Sequence, residues 1–215
     1  MNPTSEHGDV FRAIGVEPAI SASGPTTAYG GTKLRPEVHE AMNSASQVMV
    51  DMGDLNDAAG QVIAEHTGAE AGMVTSGAAG ALVLQAAAVV AGSDKAKMSR
   101  LPDTTGMKNE IIIHNIHRFP YDQCYTSVGA KLVGVGDFLR CLPWELETAI
   151  TENTAAIVVV HCAGDAVEID AICELAASKN IRVLEDCSQA HLASWKGSPT
   201  GTYGNISTFS TMNRK

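Results

Sequence analysis

Apolar positions recur at helical spacing over LNDAAGQVIAEHT, where Leu55, Ala58, Ala59, Val62 and Ile63 share one stripe and Gly68 follows as a stop. The spacing predicts a helix over 54–67. The period then changes: 71–75 reads as a strand, and the small residues Ser76 to Gly80 turn directly into an Ala/Leu/Val-rich helix reaching Ala91. The alternation continues as strand 110–114, helix 121–128, strand 131–135, helix 143–151, strand 155–160, helix 168–178, strand 181–185 and a last strand 206–210. A run such as AAIVVV is apolar at every position and needs cover on both faces, as helices give a parallel sheet. The expected fold is therefore α/β, a three-layer, open and mostly parallel sheet, in which ligands sit beyond the carboxyl ends of the strands. Residues 1–30 are less regular, with the turn-rich SASGPTTAYGG at 21–31, and 31–215 is expected to form one large domain.

Composition narrows the partners. The 215 residues are 45% apolar and 18% charged, enough to build a sizeable core. A net charge of −9 without a basic block disfavours a nucleic-acid partner held by its phosphates. The richest apolar stretch, 81–92, is interrupted by Gln85 and falls short of the roughly 20 residues of a membrane span. The amino-terminal MNPTSEHGDVFR has acids and proline where a secretory leader has a basic patch and an apolar run. A cytoplasmic protein without membrane contact is expected. Cysteines 124, 141, 162, 173 and 187 are odd in number, scattered and free of any C-x-x-C pair. They predict neither a disulfide framework nor a metal site, and suit small buried filler.

Four strand ends carry unusual residues. Ser76, Gly77, Ala78 and Ala79 open a helix whose first N–H groups have no partner, which is a phosphate seat or simply a tight strand-to-helix turn. After 110–114 stand His114, Asn115, His117, Arg118 and Tyr121, where His117 could stack on a flat cofactor or sit in a solvated loop. Asp186 ends a buried strand, with Gln189 and His191 close behind, and wants a cationic or N–H partner unless it only closes a turn. Lys215 follows the strand-end Ser210 by five positions, fit for a Schiff base beside a phosphate-binding hydroxyl, or merely a terminal lysine. Phosphate anchor, ring face, ring-nitrogen partner and amine are together the parts that pyridoxal phosphate requires.

The stretch 161–215, HCAGDAVEIDAICELAASKNIRVLEDCSQAHLASWKGSPTGTYGNISTFSTMNRK, closely resembles the DegT-type nucleotide-sugar aminotransferases, fold-type I pyridoxal phosphate enzymes. That resemblance implies that Asp186 meets the pyridine nitrogen, Gln189 the ring hydroxyl and Ser210 the phosphate, with Lys215 as the Schiff-base lysine and proton shuttle. The segments ASGPTTAYGGTKLRPEV, TGAEAGMVTSGAAGALVLQAAA and LPDTTGMKNEIIIHNIHR are similar to the selenocysteine synthase-like group, which includes ammonia-lyases of phosphorylated amino sugar acids. This second resemblance implies phosphate contacts at Ser76, Gly77, Ala78 and Ala79 and a ring contact at His117. Both imply the large domain of a fold-type I transferase, pyridoxal phosphate as cofactor and a small-molecule amine as substrate. They diverge on reaction: an aminotransferase leads, a lyase or selenium-transferase-like enzyme is the alternative, and a non-catalytic partial domain is the third. Family members continue past the lysine with a further strand and a small domain, so the large domain here is expected to be incomplete. Leu192 stands where the aminotransferase pattern has glycine. A homodimer or higher homo-oligomer is implied as well, with the segment around Thr26 to Thr32, including Tyr29, suited to covering a neighbour's site.

Overall fold

A computed structural model describes residues 8–22, 24 and 26–212. They fall into two compact units, one running to Asp51 with Met212 added, the other spanning Met52–Thr211.

The first unit holds little regular structure. Helix α1 (Asp9–Arg12) is one turn whose Arg12 pairs with Asp9 and Glu17 at 2.8 and 3.3 Å. Among the described residues of the turn-rich 21–31 region there is a 3-10 turn, Thr27–Tyr29, closed by a bridge between Thr26 and Gly31. Helix α2 (Pro36–Ala45) was not legible from spacing, because it buries none of its residues. It forms from local signals instead, with Pro36 at its first position and Glu37 against the positive end of the helix dipole.

The second unit is the expected α/β sheet. It contains α3 (Met52–Thr67), α4 (Ala78–Ala91), α5 (Lys95–Arg100), β1 (Glu110–His114), α6 (Asp122–Thr126), β2 (Lys131–Val135), α7 (Pro143–Ala149), β3 (Thr154–Val160), α8 (Ile169–Ser178), β4 (Arg182–Asp186), the short β5 (Ser194–Trp195) and β6 (Ser198–Pro199), and β7 (Ile206–Thr208). Five strands form one sheet in the order β2-β1-β3-β4-β7, and every pairing is parallel. Six of the seven residues of β3 are buried, as its uninterrupted apolar run requires. One face is covered by α4 and α6, whose Leu82, Ala86, Val90 and Tyr125 meet Ile111, Ile113 and Val158. On the other face Leu146, Ile169 and Ala176 pack on Ile112, Ile157 and Val183. Burying each such side chain is worth about 1.5–3 kcal/mol. No helix among the described residues is long and apolar enough to cross a membrane.

Several expectations change. Residues 71–75 are not a strand, because a strand exists only against a neighbour and no strand among the described residues lies beside them. Their backbone rests on α3: the Val74 N–H donates to the Asn56 side chain at 3.2 Å, and a Cβ on Gly60 would stand 2.3 Å from the Gly72 carbonyl oxygen. The apolar stripe of α3 is not buried either, since Leu55 and Val62 are 49% and 56% exposed. The last strand ends at Thr208 rather than at 210. The β5–β6 hairpin escaped notice because its signal is only the pair Lys196-Gly197, both at positive φ (46° and 87°), as a type I′ turn demands. Burial suits Cys124 and Cys187, whereas Cys141 and Cys173 are half-buried and Cys162 is exposed.

Candidate functional site

In this sheet order the chain leaves β1 toward β2 on one side and leaves the adjacent β3 toward β4 on the other, so a crevice opens beyond the carboxyl ends of β1 and β3. The turns entering that edge are Asn115–His117 after β1 and Cys162–Gly164 after β3. Helix α4 leads through α5 to the start of β1, so its first residues lie toward the edge where the strands end. Buried Gln85, midway along it, ties it to the sheet by donating to the Ile206 carbonyl at 2.8 Å.

The first turn of α4 is shaped for an anion. Ala81 makes the first intrahelical bond, to the Gly77 carbonyl at 3.1 Å, which leaves the N–H groups of Ala78, Ala79 and Gly80 outside the helix's own bonding. Gly77 has φ 93° and ψ 169°, a conformation open essentially to glycine alone. A Cβ on Gly80 would lie 2.8 Å from the Ser76 hydroxyl oxygen, so this turn must be built from small residues.

Asp186 ends β4 and is half-buried. Its Oδ1 accepts the Ser188 N–H at 2.9 Å, closing the turn. Among the described residues no cationic side chain pairs with it, so its second oxygen remains for another donor. Its charge reaches His117, Cys124 and Tyr125. Burial, then the neighbouring His114, push the His117 imidazole below its ordinary value, with Asp186 pulling the other way. A neutral ring at neutral pH results, suited to stacking. Burial, reinforced by the charge of Asp186, raises the Tyr125 hydroxyl well above its ordinary range.

Gln189 lies in a cavity of about 270 Å³ that it lines with Ala163, Gly164 and His191. Its Oε1 accepts the Ala163 N–H at 3.1 Å, which turns the amide NH₂ away from that loop and leaves it as a donor. Ser210 is buried two residues beyond β7, the strand that pairs Thr208 with Asp186. Lys215 lies outside the described residues. The structure thus sets Asp186, His117, Gln189 and Ser210 at one sheet edge and turns the α4 amino terminus toward it. Taken together, the unbonded N–H groups of α4, the spare oxygen of Asp186, the free amide of Gln189 and the half-buried ring of His117 fit a phosphorylated aromatic cofactor such as pyridoxal phosphate.

Spacing did not reveal His161 and Glu185, both wholly buried. Glu185 receives four N–H groups: His161 Nε2 (3.0 Å) and Gly201 (2.8 Å) on Oε2, Tyr203 (3.0 Å) and Gly204 (2.6 Å) on Oε1. Burial opposes its ionisation, yet these donors, His161 first, hold its carboxyl below the ordinary value. The Val167 N–H points at His161 Nδ1 at 3.1 Å, so that nitrogen is bare and the proton resides on Nε2. With Cys187 this pair forms a group of ligand-type atoms within 4.8 Å of one another, but the carboxylate oxygens are already committed to N–H groups. Burial, with Glu185 and Asp186 nearby, pushes the Cys187 thiol up to about 12, far from the thiolate a metal would take. The signal in the sequence is polar residues directly after apolar runs, Glu185 after Val183-Leu184 and His161 after AAIVVV.

Residues 31–215 match the model of the DegT/DnrJ/EryC1/StrS aminotransferase family, a family of pyridoxal phosphate enzymes. D-glucosaminate-6-phosphate ammonia lyase of Salmonella typhimurium is 29% identical over 199 residues, 88% of this chain and 54% of that enzyme. A solved structure of a D-glucosaminate-6-phosphate ammonia-lyase superposes with a TM-score of 0.78 at 28% identity, covering 87% of this chain and 52% of that one. The 5'-C-glycyluridine monooxygenase-decarboxylase of a Streptomyces species is 32% identical over 206 residues, 91% of this chain and 52% of its own length. The chain therefore spans about half the length of these relatives. A shorter likeness of higher identity, 44% over 85 residues, joins 39% of this chain to 20% of a putative L-glutamine:3-amino-2,3-dideoxy-scyllo-inosose aminotransferase of Streptoalloteichus tenebrarius.

Proposed function

Because the chain belongs to the DegT/DnrJ/EryC1/StrS aminotransferase family, we propose that it is the cofactor-binding part of a pyridoxal phosphate enzyme that transfers the amino group of a small amine, an amino acid or amino sugar. The observation that carries this reading is the gathering of Asp186, Gln189, His117 and Ser210 at the sheet edge toward which the unbonded first turn of α4 is turned. When bound, the cofactor supplies an electron sink for the carbon that bears the amine. The N–H groups of Ala78, Ala79 and Gly80, with the Ser76 and Ser210 hydroxyls, orient its phosphate. The spare oxygen of Asp186 keeps a proton on the ring nitrogen, and the Gln189 amide donates to the ring hydroxyl. His117 covers a ring face and excludes water. Lys215 would hold the cofactor through its side-chain amine until the substrate amine takes its place, and the amine so freed would take the proton from the amine-bearing carbon and return it. The match that runs the length of the chain to an ammonia lyase favours elimination as the second reading.

The remaining features belong to the same proposal: a large domain over 31–215 preceded by a 1–30 arm, a cytoplasmic homodimer or higher oligomer, and Tyr29 near a neighbour's site. The test is the absorbance spectrum of the full-length protein with pyridoxal phosphate. A visible band reducible by borohydride is expected, and its conversion to the pyridoxamine form by an amino donor marks transamination, whereas ammonia and keto-acid release without that conversion marks elimination. No band at any cofactor concentration would leave a non-catalytic domain. Light scattering at micromolar concentration reads the oligomer, and an active monomer would refute the shared site.

A further inference from the structure

The geometry points to His161 as a positioning residue for Gln189: its ring, anchored on Glu185, holds the turn after β3 so that the Ala163 N–H fixes the Gln189 carboxamide with its NH₂ outward. The inference rests on the reading of Gln189 as a cofactor ligand and adds a residue that this reading does not contain.

The connection runs through named contacts. On one side the His161 ring donates from Nε2 to buried Glu185, which three backbone N–H groups of the Gly201–Gly204 loop also hold. On the other side Nδ1 accepts the Val167 N–H, pinning the far end of the turn that starts at Cys162. The ring is fully buried and each nitrogen has one partner, so it has neither room nor reason to rotate. Between these pins the chain adopts a costly shape: Ala163 has φ 55° and Gly164 φ 88°. A non-glycine residue in the left-handed region persists only where its surroundings over-determine it. The strained residue is the one whose N–H orients Gln189. An Asn or Gln side chain without such an anchor presents oxygen and nitrogen interchangeably, and a ligand for a ring hydroxyl must present one of them.

The variant His161→Gln separates the two arms of the ring. A glutamine amide reaches the Nε2 position and keeps a donor to Glu185, so the buried carboxylate is not stranded, but it places no acceptor at the Nδ1 position, where the Val167 N–H is received. Two readouts are taken. In the cofactor-free chain, amide exchange at Val167 and Ala163 is expected to rise about tenfold, the scale of one lost hydrogen bond, while Gly201, Tyr203 and Gly204 stay protected. In the loaded full-length protein, the pH midpoint of the visible band is expected to move as it does in Gln189→Ala, by up to about one pH unit, and the double variant is expected to move no further. A turn that exchanges no faster in His161→Gln, or band shifts that add in the double variant, would overturn the proposal. Absence of a band in the wild-type protein counts against the cofactor reading alone, and the exchange data then decide the positioning role by themselves.

Discussion

Replacing Glu185 by glutamine tests the buried anion directly. The carboxylate has two N–H donors on each oxygen, at 3.0 and 2.8 Å on one and 3.0 and 2.6 Å on the other. A glutamine must turn its NH₂ toward one of these pairs, and two donors then face a donor. His161 cannot relieve the conflict by changing tautomer, because its other nitrogen must stay bare for the Val167 N–H. Each stranded buried donor costs about 1–3 kcal/mol, so the substitution is expected to destabilise by about 4 kcal/mol, a large share of the roughly 5–15 kcal/mol that holds a domain together. The pH dependence gives a second check. The folded carboxyl lies below its reference value of 4.5, so the stability it contributes is fully present above that value and is lost as pH falls through the lower folded value. The wild-type chain is therefore expected to weaken below pH 4.5, and Glu185→Gln to show a flatter acid limb from a lower plateau. Urea denaturation followed by circular dichroism between pH 3 and 7 measures both. A loss under about 1 kcal/mol at neutral pH, well below one stranded pair, would refute the account of this anion.

Other outcomes are equally specific. Lys215→Ala in the full-length protein is expected to abolish the visible cofactor band and borohydride trapping, read by spectrum and mass. Asp186→Ala is expected to lower turnover by orders of magnitude with a smaller effect on cofactor retention, and near-normal turnover would reduce the residue to its turn-closing bond with Ser188. Leu192 is fully exposed at φ 63°, so Leu192→Gly relieves a strain of about 1–2 kcal/mol against a chain-entropy cost of about 0.5–1 kcal/mol and is expected to raise the denaturation midpoint slightly. Gly60→Ala places a methyl 2.3 Å from the Gly72 carbonyl oxygen and is expected to cost more than about 1 kcal/mol, measured by the same denaturation.

What could be read in the sequence follows from the range of the interactions. EIIIH and KLVGV match β1 and β2 residue for residue: three buried isoleucines mark β1, and β2, the edge strand with only Val135 buried, is bounded by its own short apolar run. The 71–75 segment has strand-like residues, but pairing is a property of the neighbour, and the neighbour here is α3. Glu185 was visible only as an acid beside Asp186. Its donors arrive from a loop 16–19 positions later and from the end of β3, a convergence with no period to detect. Asp186, Gln189 and Ser210 were singled out as strand-end residues, and their assignment to ring nitrogen, hydroxyl and phosphate came from family resemblance. Leu192, where the family resemblance implies glycine, is at positive φ, a conformation that glycine adopts without cost.

The uneven burial of the thiols has a practical side. Cys162 alone of the five is exposed, and it directly precedes Ala163 at the rim of the Gln189 cavity, whereas Cys187 is sealed in the core with its proton held to about pH 12. A maleimide dye therefore attaches to the unaltered chain beside the cavity, and its emission becomes an optical gauge of anything that enters, ready for titration with candidate amines before any turnover assay exists.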